Sequence, residues 1–488
     1  MKFQNIDNLN QLQKAWMSTI LIATVSFFAY FYNYMNPPKQ FWDENYHIAS
    51  AQKYIDGVFF FEPHPPLGKI LIALGEALVS PNNSINTKPF LETDYIKKFP
   101  KKYSFAGMRL IPSLAGWLNA ILIFWLLYFL TDKIFLALLG TSLYLFDNAM
   151  ILHSRAAMLE SIQIFFLLLA LIWFVREWKK EQISIKTYTI LSILITLGIM
   201  IKVNSAILML LPAFLWYREL CIDGVSFKEF FVKNLSFLAL FLVVIYATFA
   251  LHFTLADRPI KNRTYNAPTS IIANVKNHNM LNPINTFKGI AEYYKYMKHY
   301  ESRVPKYNPC KKGENGSLAI TWPLIDKTIN YRWERKDGIV RYLYLMGNPM
   351  VWFLSLLGVL GSLVLVTSKA LYKTPITHKE YFRWILIFTT LYVSYMVAVM
   401  QIERVMYLYH YFIPLIFGII LFALQVGYIY EDYLKSKDRL IYGSLIGLMF
   451  IVIAVYAFFS PLTYYLPLDL ESFNKRIWFD FWHLQPIR

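Results

Sequence analysis

Apolar residues recur along this chain in runs of roughly 15 to 22, separated by polar stretches rich in Lys and Arg. Each run crosses, or nearly crosses, a hydrocarbon core about 30 Å thick. Eleven are read as membrane spans: 16–35, 107–130, 134–150, 161–175, 187–201, 205–217, 234–253, 350–366, 384–400, 405–428 and 440–459. An open sheet cannot satisfy its backbone in lipid, so the pattern predicts an all-α polytopic membrane protein. Longer polar segments fall at 36–106, at 254–349 and beyond Ser460. The expected organisation is therefore an N-terminal half (1–253) with a first loop at 36–106, a long loop (254–349) and a C-terminal half (350–488) with four spans. Pro, Gly and Asn in the long loop predict short helices and turns there.

The basic residues set the orientation. Placing the N-terminus in the cytoplasm puts Lys2 and Lys14 inside, together with 176–186, 218–233, 368–383 and 431–439, all rich in Lys or Arg. The first loop, the long loop and the C-terminal tail then face the extracytoplasmic side of the cell membrane. The first span is long and lacks a small-residue cleavage pattern, so it is read as a retained helix.

Composition agrees with a membrane chain: 57% of the 488 residues are hydrophobic, 18% are aromatic and mean hydropathy is +0.38. The net charge of +17 reflects the inside bias and attraction to lipid headgroups, not nucleic acid, for which no motif is present. Cys221 and Cys310 fall on opposite sides in this topology, which excludes a disulfide between them, and neither zinc-type spacing nor a CxxC pair occurs.

The chemistry concentrates in FWDENYHIASAQKYIDGVFFFEPHPPLGK (41–69). Ionisable groups at a bilayer face are costly unless they serve a purpose. Asp43 and Glu44 sit near a predicted helix start and point about 100° apart, so they take different tasks. One is suited to general-base work, the other to a hydroxyl, an acceptor or a divalent cation. An acidic pair complementing the helix dipole is the plainer alternative. In FEPHPPLGK, Glu62, His64 and Lys69 surround a Pro-Pro pair that can open a helix, whose free N–H groups favour phosphate.

A second group is FDNAMILHSRAAMLES (146–161), with Arg155 as a phosphate fork and Glu160 beside it. A structural Arg155–Glu160 pair is the alternative. Lys202 interrupts two spans at the same face and either lines the site or snorkels. In QIERVMYLYHYFIP (401–414), Arg404 and His410 are candidates for a lipid phosphate, while the Tyr residues form an aromatic belt.

Taken together, these blocks resemble the protein O-mannosyltransferases of the GT-C superfamily. Asp43-Glu44 matches the family's Asp-Glu motif. FFFEPHPPLGK is similar to its FF-D-x-HPP-x-x-K segment, with Glu62 for Asp, and FDNAMILHSRAAMLES to its LDNA…QSR…LLDS segment, with Glu160 for Asp. SLAITWPL (317–324), YLMGNPMVWFLS (344–355), RVMYLYHYFIP (404–414) and YYLPL (464–468) resemble further family blocks in order. The long loop is too short for the MIR β-trefoil of eukaryotic members, so the resemblance is to the compact bacterial form.

That resemblance implies a GT-C helical bundle with its site on extracytoplasmic loops. It implies a polyprenyl-phosphate-mannose donor and an exported acceptor protein, taken in extended form, whose Ser or Thr hydroxyl is mannosylated with inversion. Asp43 would be the base, and Arg155, Lys69 and Arg404, with His64 or His410, would stabilise the leaving phosphate. No nucleotide site is expected. Two other readings remain open on the residues: a GT-C transferase acting on lipid A or a glycan, and a transporter or flippase of lipid-linked sugars.

Overall fold

The computed structural model describes residues 10–260, 266–336 and 339–487, so Lys2 lies outside the described residues. All eleven apolar runs fall on helix. Among the described residues nine helices are long and apolar enough to span a membrane, or ten if one bent pair counts as a span. The expected count of about eleven agrees with this to within one or two. Ile185–Ile201 has 17 residues, about 25 Å of helix at 1.5 Å per residue, at the lower limit for crossing the hydrocarbon core. The run read as 134–150 is two helices, Ile134–Leu145 and Asn148–Ser154, meeting at 63°.

The chain forms two compact units, each discontinuous in sequence. The first comprises Met1–Tyr32, Gly116–His153 and Tyr307–Arg488. Its centre is the long helix Leu408–Lys435, buried along most of its length. Helix Pro349–Tyr372 crosses it closely: a Cβ on Gly358 would lie 2.4 Å from the Phe422 backbone nitrogen, so only glycine fits there. Asp147 explains the bend between the paired helices. Its carboxylate accepts from the Met150 N–H (2.8 Å), the Asn348 N–H (2.9 Å) and the Trp352 indole (2.8 Å). The FDNA and GNPMVW blocks thus meet at one carboxylate, and Asn348 in turn caps Pro349–Tyr372 through the Met350 N–H.

The same unit holds a small antiparallel sheet that the helical reading did not anticipate. β1 (Ile329–Lys336) pairs with β2 (Ile339–Leu345), and β2 with β3 (Pro467–Leu468). IVRYLYL is rich in β-branched and aromatic residues, a strand signature inside a loop otherwise read as turns.

The second unit comprises Asn33–Ala115 and Ser154–Lys306. Its core gathers Ile48, Tyr54, Phe60, Ile72, Phe105 and Leu159 from the first loop and from the helices around it. The first loop is mainly two short helices, Glu44–Ile55 and Leu67–Val79, packed on each other, with Leu67–Val79 also against Ile185–Ile201 and Phe227–Leu255. In the long loop, helix Pro283–Arg303 packs against Phe227–Leu255.

Candidate active site

Trp42 stands at φ +51°, in the left-handed region that a bulky side chain rarely adopts. Such a conformation costs of order 1–3 kcal/mol and persists where the surroundings enforce it. It turns the chain so that Asp43 becomes the N-cap residue of Glu44–Ile55. The Asp43 carbonyl accepts from the Tyr46 and His47 N–H groups (3.0 and 3.3 Å), while its half-buried carboxylate does not cap the helix. The acidic side chain is therefore not spent on ending the helix.

Glu44 is placed quite differently. It is completely buried and takes four donors: Arg109 Nε (2.7 Å) and the Ala157 N–H (2.9 Å) on one oxygen, Arg109 Nη2 (2.8 Å) and the Phe41 N–H (3.0 Å) on the other. Arg109 is as fully occupied. Its remaining N–H groups donate to the carbonyls of Met35, Pro37 and Lys39, and its guanidinium lies 4.7 and 4.4 Å from the rings of Phe41 and Phe105. One buried ion pair thus fastens the loop before Asp43 to the segment after Arg155. Sequence reasoning missed Arg109. The available signal was an arginine seated at the head of an apolar run.

Glu62 and Lys69 form a buried ion pair, and Ser50 adds a hydrogen bond to the same Glu62 oxygen (3.2 Å). Burial pushes the Lys69 ammonium down to about 7, with Lys53 acting in the same direction and Asp94 and Asp43 opposing. The His64 carbonyl precedes two prolines that can offer it no N–H, and Tyr293 of Pro283–Arg303 supplies the donor (2.9 Å). Gly68 lets the helix that follows approach closely, since a Cβ there would lie 2.7 Å from Leu159.

Arg155 is buried and donates to the Asn33 carbonyl (2.9 Å). Glu160 pairs with Lys202 (2.6 Å), so Lys202 reaches the site through a carboxylate rather than running out along the bilayer. His47, an ionisable residue of the same segment that was given no role, lies among these pairs, its ring 6.3 Å from that of His64. Burial holds its imidazole well below the usual histidine range, and Lys69, His64 and Lys202 push the same way against Glu160. It is thus a neutral imidazole amid fixed charges.

Seven of the nine candidate residues (Asp43, Glu44, Glu62, His64, Lys69, Arg155 and Glu160) fall in the second unit. Arg404 and His410 fall in the first. Arg404 donates to the Val405 carbonyl (3.1 Å), and His410 stacks on Tyr409 at 4.6 Å with its Nδ1 against the Tyr407 backbone. Among the described residues no three or more His, Cys, Asp or Glu side chains are grouped to hold a metal ion.

The family model for dolichyl-phosphate-mannose-protein mannosyltransferases matches residues 20–258, and that for the C-terminal four-TMM region of protein O-mannosyltransferases matches 287–482. The chain belongs to the protein O-mannosyltransferase family. Within it, dolichyl-phosphate-mannose–protein mannosyltransferase 1 of Candida albicans is 29% identical over 50% of this chain and 28% of its own length. Protein O-mannosyl-transferase 2 of Drosophila melanogaster is 31% identical over 36% of this chain and 22% of its own length. The chain thus spans about a quarter of the length of the curated mannosyltransferases it matches. The fold is similar to the Saccharomyces cerevisiae protein O-mannosyltransferase Pmt1-Pmt2 complex bound to the sugar donor, with a TM-score of 0.76 at 15% identity over 96% of this chain and 92% of that one. It is also similar to the oligosaccharyltransferase of Archaeoglobus fulgidus, at a TM-score of 0.53 and 10% identity over 97% of this chain and 60% of that one. Both likenesses speak for the helical bundle of these membrane glycosyltransferases.

Proposed function

We propose that this multi-pass membrane protein transfers mannose from a polyprenyl-phosphate-mannose donor to Ser or Thr hydroxyls of exported proteins, with inversion at the anomeric carbon. The observation that carries this reading is the division of labour in the acidic pair. Glu44 is saturated by fixed donors, whereas Asp43, next to it, keeps its carboxylate off the helix end and near Lys69. In this reading Asp43 accepts the acceptor hydroxyl's proton as the oxygen attacks C1. The C1–phosphate bond breaks, and the lipid phosphate leaves with its electron pair.

A phosphate is already a good leaving group, so it calls for cations more than for an acid. Arg155 and Lys69 are assigned to it, and Lys202 is held at the Glu160 carboxylate. Glu62 and His64 are assigned to shaping the donor site. Glu44, which the motif alone would make a second catalytic carboxylate, is reassigned to positioning, because a carboxylate with four buried donors has little left to offer a substrate.

Purified protein given labelled polyprenyl-phosphate-mannose and a Ser/Thr peptide should place the label on the peptide hydroxyl. Label delivered only to lipid A or a glycan would point to another transferase, and label moved across vesicles without transfer would point to a transporter.

Arg155→Lys keeps the charge but loses the planar fork that matches phosphate oxygens. Hydrogen bonds to charged groups contribute about 1.5–3 kcal/mol, so kcat/KM should fall about tenfold or more. The loss should appear in donor affinity and in turnover, since the phosphate gains charge toward the transition state. Wild-type kinetics in that variant would remove Arg155 from the phosphate site.

The proposed site faces the extracytoplasmic side, as the basic loops at 176–186, 218–233, 368–383 and 431–439 indicate. Alkaline phosphatase fused after residue 300 should be active, and fused after residue 180 inactive. The reverse pattern would place the site in the cytoplasm and end the reading for exported acceptors.

A further inference from the structure

Helix Pro283–Arg303 has two unlike faces. One is turned to the protein: Tyr293 is buried against Phe61 (4.9 Å) and Phe249 (5.1 Å) and holds the His64 carbonyl. The other is exposed and opens with large apolar side chains: Leu281 just ahead of the helix is 52% exposed, Ile284 65% and Phe287 61%. Tyr294 continues this row at helical spacing, with the exposed Lys288 and Lys295 beside it. Three large apolar residues this exposed within seven positions would be a liability in water.

The neighbouring helix gives the depth. Phe287 packs on Tyr246 (5.3 Å) and Tyr294 on Phe249 (5.8 Å), both on the membrane span Phe227–Leu255. Tyr246 lies nine residues before the end of that span, about 13 Å along its axis. The crossing is close, since a Cβ on Gly289 would lie 2.6 Å from Phe253. The start of Pro283–Arg303 therefore lies beside the last turns of a lipid-facing helix. The span's own exposed Leu238, Leu242 and Val243 continue the apolar surface toward the bilayer interior.

We propose that Pro283–Arg303 is an interfacial helix, with Leu281, Ile284 and Phe287 seated among lipid acyl chains and Lys288 and Lys295 reaching up to the phosphate headgroups. An aromatic and aliphatic row flanked by lysines is the pattern by which a helix lies in a membrane surface, its apolar side about 5–10 Å into the headgroup boundary. The lysine stems lie along the apolar side while their ammonium groups reach water and phosphate. The same helix carries Tyr293 on its other face, so the turn bearing Glu62 and His64 is moored to the lipid surface and not to a loop free in solvent.

Collision accessibility of a spin label tests this independently of any enzymatic activity. The full chain, with its exposed Cys221 and Cys310 replaced by serine, would carry a single label at Ile284→Cys, Phe287→Cys or Lys298→Cys. It would be reconstituted in vesicles of phosphatidylethanolamine and phosphatidylglycerol. At 284 and 287 the ratio of oxygen to nickel-chelate collisions should exceed that at 298 severalfold. Ile284→Cys is the safer variant, because that side chain is mostly exposed. Nickel access equal to that at 298 would mean a surface in water and overturn the proposal. Low access to both reagents would mean a face covered by protein and overturn it equally.

Discussion

Asp43→Asn should leave the protein folded and its lipid donor bound, while peptide mannosylation falls by about 10² to 10⁴. The amide has nearly the size of the carboxylate but cannot take a proton from an attacking hydroxyl. Folding should change little, because the amide keeps the side chain's size and the helix start is held by the Tyr46 and His47 N–H groups donating to the Asp43 carbonyl. Donor binding draws on the cations instead. Turnover measured at saturating donor and peptide isolates the step in which the proton moves. Near-normal turnover in Asp43→Asn would pass the base to Glu62, whose ion pair with Lys69 would then have to open during the reaction.

Removing the partner of Glu44 should damage stability instead. Arg109→Leu leaves a buried carboxylate facing two backbone N–H groups and no cation, and it orphans three carbonyls in the loop before Asp43. Breaking a buried pair from one side typically costs about 3–5 kcal/mol. The expected result is a large drop in thermal midpoint in detergent. Arg109→Leu combined with Glu44→Leu should lose less than the sum of the two single variants, because residues in one network couple. An Arg109→Leu protein as stable as the wild type would mean that the pair does not hold the loop, and Glu44 would again be a candidate for the chemistry.

Much of this was legible from hydropathy and motif order. Every apolar run lies mainly on helix, since a run of that length leaves the backbone no other way to satisfy itself in lipid. The order of the DE, HPP, SR and YHYFIP blocks pointed to the family before any contact was known. Pairing was not legible, because it depends on residues far apart in sequence: Glu44 meets Arg109, Glu160 meets Lys202, and His64 meets Tyr293. Adjacent acids look alike in a string, and only the surroundings separate Glu44, held in a buried ion pair, from Asp43, whose side chain does not cap its helix. The hairpin of β1 and β2 escaped because its strand pattern sits inside a loop rich in turn residues.

The Glu44–Arg109 bond also imposes an order on the making of the protein. The two residues lie 65 positions apart, and the Ala157 N–H that completes the set lies 113 positions beyond Glu44. At about 5–20 residues per second, the ribosome delivers Arg109 roughly 3 to 13 s after Glu44. During that interval the carboxylate has no cation to accompany it into a low-dielectric setting, so the nascent first loop waits in water at the membrane surface. Its helices are expected to settle only after Arg109 has emerged at the head of the second long apolar run. The arrival of one arginine is therefore expected to set the earliest moment at which the loop that carries Asp43 can assemble.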